Sequence, residues 1–210
     1  MVDRETYWAL GILSTILSLW LWTSVQWVGP NHATPVEFAQ TAGAAGPNAL
    51  IGSYHRLFTA TLAHLSPAHL VVNLVLLWIA GLSLGRIGAS MLLILVFLVA
   101  GWVATIATIL YSDGLVLGAS AGIFGVFGAL VGQLRQLAGP IGWGRGVVLS
   151  VVILVIGSLG YGDIVAHWSG FFVGVLLGSI HWRRGLSRWV TGGLILVACV
   201  ASAIHWCSLE

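Results

Sequence analysis

Seven apolar runs, each near the length that crosses a bilayer, occupy most of this 210-residue chain. They cover roughly residues 7–28, 68–85, 89–111, 118–138, 146–160, 163–182 and 190–206. A spanning helix takes about 20 mostly apolar residues. Lipid leaves no water to satisfy open backbone groups, so runs of this length must be helical. The pattern therefore predicts an all-α polytopic membrane protein. The fifth run is short and ends in the Gly-rich stretch from Gly157 to Gly162, and the start of the seventh is diluted by Thr191-Gly192-Gly193. Charged residues make up only 7% of the chain, against about 25% in a soluble domain. That scarcity excludes a soluble globular enzyme, a disordered chain and a nucleic-acid binder.

The first run is a retained signal anchor on this reading. Its apolar stretch exceeds the roughly 7–15 residues of a signal-peptide core, and the small residues Ala42-Gly43-Ala44 come well after it. All eight basic residues are Arg. With seven spans, Arg4, Arg86, Arg135, Arg145, Arg183, Arg184 and Arg188 share one side, and Arg56 stands alone on the other. The positive-inside rule then puts the N-terminus in the cytoplasm and the C-terminus outside. The long loop 29–67 falls on the outer side. Trp27, Phe38, Tyr54, Leu57 and Phe58 lie at or within it, so it should rest in the membrane interface. Cys199 and Cys207, eight apart on a helix, are about 12 Å from each other, too far for a disulfide.

Polar groups inside a bilayer are costly, so they mark function by default. Three sets stand out: His69 with Asn73, Ser120, and His167. Ser66-Pro67 is a good helix start, and Asn73 lies six residues on, about 9 Å deep at 1.5 Å per residue. If the fourth span starts at Asp113, Ser120 is about 10 Å deep; counted from Asp163, His167 is about 6 Å deep. All three helices enter from the same side, so the groups share one layer. Small-residue ridges let the helices touch: Gly118, Gly122, Gly125, Gly128 and Gly132 in the fourth span, Gly170, Gly174 and Gly178 in the sixth. Such packing brings Ser120 within reach of His167, the minimal activated nucleophile. His69 and Asn73, four apart on one helical face, and the Ser120 N–H near a helix start can serve as oxyanion donors.

These residues resemble those of the rhomboid intramembrane serine proteases. Gly118-Ala119-Ser120-Ala121-Gly122-Ile123-Phe124-Gly125 is similar to the family's Gly-x-Ser nucleophile motif. Ala166-His167-Trp168-Ser169-Gly170 with Gly174 is similar to its Ala-His-x-x-Gly-x-x-x-Gly base helix. His64, His69 and Asn73 resemble the second-span His-x-x-x-Asn signature with its preceding His, and Arg56 the Arg of a first-loop Trp-Arg pair. His55 stands where that Trp usually sits. The resemblance covers about residues 7–182 and implies a six-helix bundle, to which the seventh span is an addition. Residues 1–182 would form the protease core, and 183–210 a basic cytoplasmic turn plus an extra span. It implies Ser120 as nucleophile, His167 as base, Asn73 and His69 as oxyanion donors, and Phe124 packed on the base. Substrates would be transmembrane segments, admitted past a movable stretch at 146–162. No cofactor and no metal is expected. The rival reading is a non-proteolytic rhomboid-like adaptor or chaperone that binds transmembrane helices.

Plainer roles stand beside these. A Ser in a membrane helix usually packs or bonds its own backbone. His64 and His69 have no carboxylate or Cys nearby to complete a metal set, and His64 reads as a structural hydrogen-bonder under the first loop. Asp163, four residues before His167, reads as a helix cap rather than a third triad member. His32, His55, His181 and His205 read as interfacial, as do most of the Trp residues. The expected setting is an inner or plasma membrane with the site opening outward. The expected partners are the lipid bilayer and transmembrane substrates, and no motif specifies an oligomeric state.

Overall fold

The computed structural model describes residues 2–28, 34–112, 114–137, 139–159, 163–180 and 184–208. Each apolar run contains a helix. These are α1 (Arg4–Val28), α4 (Pro67–Arg86), α5 (Leu92–Tyr111), α6 (Ser120–Leu137), α7 (Gly139–Leu159), α8 (Ile164–Ser179) and α9 (Arg184–Cys207). Between α1 and α4 lie two short helices, α2 (Pro35–Thr41) and α3 (Arg56–Thr59), and a 3-10 turn at Pro47–Leu50. By length and composition α1, α4 and α5 can each cross a membrane, and α6 to α9 carry shorter apolar stretches. The chain is an integral, multi-pass, all-α membrane protein.

α6 and α8 form the centre. α5 packs on both, α4 and α7 flank α6, α1 lies on α4, and α9 lies on α5 and α3. The central pair is close because both facing surfaces lack side chains. A Cβ added at Gly170, Gly174 or Gly178 would strike the carbonyl of Ala121, Gly125 or Ala129. Reciprocally, one at Gly128 or Gly132 would strike the carbonyl of Phe171 or Val175. In lipid, such small-residue seams replace the hydrophobic effect as the basis of helix association.

Three boundaries differ from the sequence expectation. α6 starts at Ser120 itself, not near Asp113 (which lies outside the described residues). Val116 pairs with Ala45 through N–H to carbonyl bonds of 2.7 and 2.9 Å. Gly118 has φ +118°, a conformation no helix accepts and only Gly adopts freely. Gly118 is thus a turn residue and not part of the packing ridge. α7 starts at Gly139 rather than 146, because Pro at a helix's first turn lacks only an N–H that would go unpaired anyway. Arg145 therefore sits exposed on the second turn of α7. α9 begins at Arg184, ahead of its apolar run, so part of the expected basic turn is helical; His181 and Arg183 lie outside the described residues.

The first loop is folded onto the bundle. Thr34 caps α2 in a reciprocal pair with Glu37. Ala45, Ala49 and Ala60 bury with Ile109 and Val116 in a small core of their own. His32 lies outside the described residues. At the opposite end, Asp3 caps α1: its carboxylate accepts from Thr6 N–H at 2.9 Å, Thr6 Oγ1 at 2.6 Å and Ser90 Oγ at 2.6 Å. Burial pushes the Asp3 carboxyl up, but these three bonds outweigh it and hold the group below the 3.8 of a free carboxyl. A folded value below the unfolded one means stabilisation that is present above 3.8 and is lost as pH falls through the folded value. Asp3→Ala should cost about 1–2 kcal/mol. Thermal melts in detergent should show a deficit at neutral pH that closes toward pH 3.

Candidate active site

The Ser120 side chain stands on the first residue of α6, and His167 is in the first turn of α8. The Gly seam sets the spacing of these two helix ends, and His167 Nε2 lies 2.9 Å from Ser120 Oγ. If the hydroxyl donates to Nε2, the neutral ring keeps its proton on Nδ1. His167 is only 4% exposed, whereas Ser120 is half-buried. The hydroxyl is thus reachable while the imidazole is shielded. Asp163 Oδ1 accepts from Ala166 N–H at 3.1 Å, which is the N-cap arrangement. Phe124, one turn after Ser120 and fully buried, packs its ring 4.6 Å from the His167 ring. Gly157 of α7 presses on Phe124 from behind: a Cβ there would be 2.6 Å from the ring.

α4 supplies the polar groups opposite. Ser66 caps it by accepting from His69 N–H at 3.2 Å, as the Ser66-Pro67 start predicts. A Cβ at Gly118 would lie 3.0 Å from His69 Cε1 and 3.8 Å from Ser120 Oγ. The absent Gly118 side chain is therefore space shared by the His69 ring and the Ser120 hydroxyl. Asn73, one turn further along α4, is 2% exposed. Asn73 Nδ2 and His69 Nδ1 are buried without hydrogen-bond partners among the described residues. Leaving such groups unpaired costs about 1–3 kcal/mol each. Donors kept ready for a charge that appears only during reaction are one reason to bear that cost. The first N–H groups of α6, beginning with Ser120, have no partner within their own helix.

His64 lies under this layer, fully buried, with Nδ1–H donating to the Leu62 carbonyl at 3.0 Å and its ring 5.1 Å from that of His69. Burial first, and the His69 ring second, push the His64 imidazole down to about 4. Arg56 engages the first loop: its Nη1 donates to the carbonyls of Gln40 and Ala44. Among the described residues no group of three or more His, Cys, Asp or Glu is clustered as a metal set.

Sequence reasoning missed a second polar cluster. His205 is fully buried, not interfacial, and its ring lies 5.6 Å from His55 and 5.5 Å from Trp20. Trp20 is buried beside it, 6% exposed. No local sequence pattern links His55, His205 and Trp20; they meet only through tertiary packing.

The family profile described as Rhomboid domain matches residues 52–184, more than half of the chain. Over 187 residues the chain is 32% identical to "Rhomboid protease GluP" of Bacillus subtilis (strain 168), covering 83% of this chain and 35% of that protein. Over 175 residues it is 27% identical to "RHOMBOID-like protein 7" of Arabidopsis thaliana, covering 71% of this chain and 54% of that protein. The chain thus spans about a third to a half of the length of these curated relatives.

Proposed function

The chain belongs to the rhomboid family, and from that premise we propose that it is an intramembrane serine endopeptidase using a Ser120–His167 dyad. The 2.9 Å contact between Ser120 Oγ and His167 Nε2 carries this reading. His167 Nε2 takes the hydroxyl proton as Oγ attacks the scissile carbonyl. The oxyanion is held by Asn73 Nδ2–H, the His69 ring and the Ser120 N–H. His167 then protonates the leaving amine, and the acyl-ester on Ser120 forms as the peptide bond breaks. Water, deprotonated by the same imidazole, hydrolyses that ester and restores the hydroxyl. Phe124 limits how far the ring can swing.

Substrates on this reading are transmembrane segments, which enter past α7 and the residues that follow it. The Arg distribution supports a cytoplasmic N-terminus in a plasma or inner membrane, and a site that draws water from the outer side. A serine-reactive fluorophosphonate tests the dyad directly. Labelling of the purified chain should require both Ser120 and His167. Labelling that survives His167→Ala would remove the base from the mechanism, and a folded parent chain that is never labelled would favour the adaptor reading.

A further inference from the structure

The turn after α2 presents an unusual run of carbonyls, each satisfied by a side chain from another element. Gln40 and Ala44 carbonyls accept from Arg56 of α3. The Thr41 carbonyl faces His205 Nε2 at 2.9 Å. The Ala42 carbonyl accepts from Trp20 Nε1–H of α1 at 2.7 Å, and that of Gly43 from Thr59 Oγ1 at 3.3 Å. A carbonyl only accepts, so His205 holds its proton on Nε2. Such a turn is rigid only while every donor is in place, because each buried carbonyl left open carries a desolvation cost.

This turn leads straight to the nucleophile. Ala45, the next residue, exchanges both backbone bonds with Val116. Two residues on, Gly118 N–H donates to the Ala60 carbonyl at 2.9 Å, and Ser120 follows. The segment that ends at Ser120 is thus held to the first loop by three backbone bonds, and the first loop is held at Thr41 by the last helix. We infer that His205, on the C-terminal helix α9 outside the matched family domain, is a positioning residue for Ser120, acting through the Thr41 carbonyl and the Ala45–Val116 pair.

The inference rests on Ser120 being the nucleophile, so its test carries one readout that does not depend on activity. His205→Phe keeps an aromatic ring against Trp20 and removes the donor; His205→Gln keeps a donor at the end of a flexible chain. In the full chain in detergent, His205→Phe should raise hydrogen exchange in peptides covering 40–45 and 114–118. It should also slow fluorophosphonate labelling of Ser120 roughly tenfold. In cleavage assays kcat should fall with KM nearly unchanged, and His205→Gln should recover part of both effects. Unchanged exchange at 114–118 in folded His205→Phe overturns the positioning role whatever the activity. Raised exchange in a chain whose parent is never labelled leaves the coupling standing and removes the protease reading instead. Slower labelling with exchange confined to α9 also overturns it, since the effect would then bypass the proposed route.

Discussion

Ser120→Ala should lower cleavage of a single-span test substrate by at least roughly 10⁴-fold while the protein still folds. The hydroxyl is half-buried at the start of α6, and it is not a packing element of the Gly seam. Ala at that position keeps the helix start and removes one hydrogen bond, worth about 1 kcal/mol. Stability and activity should therefore separate: the melting temperature moves by a few degrees at most, and turnover disappears. Cleavage retained in the purified variant would sink the dyad. The same assay against single-span membrane proteins from the source cell would identify the substrate class.

Gly174→Ala should do the opposite, acting first on stability and on activity through the packing of α6 and α8. Its Cβ would fall on the Gly125 carbonyl, a backbone atom that cannot rotate away. Overpacking of a rigid site costs about 3 kcal/mol or more, near 10 °C in melting temperature for a chain of this size. Because the seam sets the distance between the first turns of α6 and α8, fluorophosphonate labelling should fall as well. Gly193→Ala is the matched control. Nothing lies within 4 Å of a Cβ there, and Ala favours helix over Gly by up to about 1 kcal/mol. If Gly174→Ala melts like Gly193→Ala, the seam is not what holds the pair together.

The helices and the composite site were largely legible because bilayer chemistry leaves few options. A run of apolar residues has to be helical, and a polar atom in such a run needs a reason to be there. Ser120, His167, His69 and Asn73 could be grouped by depth alone, and the glycine spacing in two spans indicated which helices meet. What could not be read were features set by contacts between distant segments. The late start of α6 depends on Val116 finding Ala45, a pairing that no local pattern announces. The early start of α7 runs through Gly139-Pro140-Ile141-Gly142-Trp143-Gly144, which propensity alone would assign to a turn. His205 reads as interfacial by position and Trp20 by residue type. They are buried because the first loop folds back over them, which is a tertiary event. Gly118 reads as one of the packing glycines because spacing cannot distinguish a glycine that faces a helix from one that turns a chain.

The central helices are also short. α6 has 18 residues and α8 has 16, so at 1.5 Å per residue they reach about 27 and 24 Å, against a hydrocarbon core of about 30 Å. Lipid against the exposed face of α8, at Phe172 and Leu176, has to compress, at fractions of a kcal/mol per Å of mismatch. The protein should therefore partition toward thinner membranes and lose stability as acyl chains lengthen.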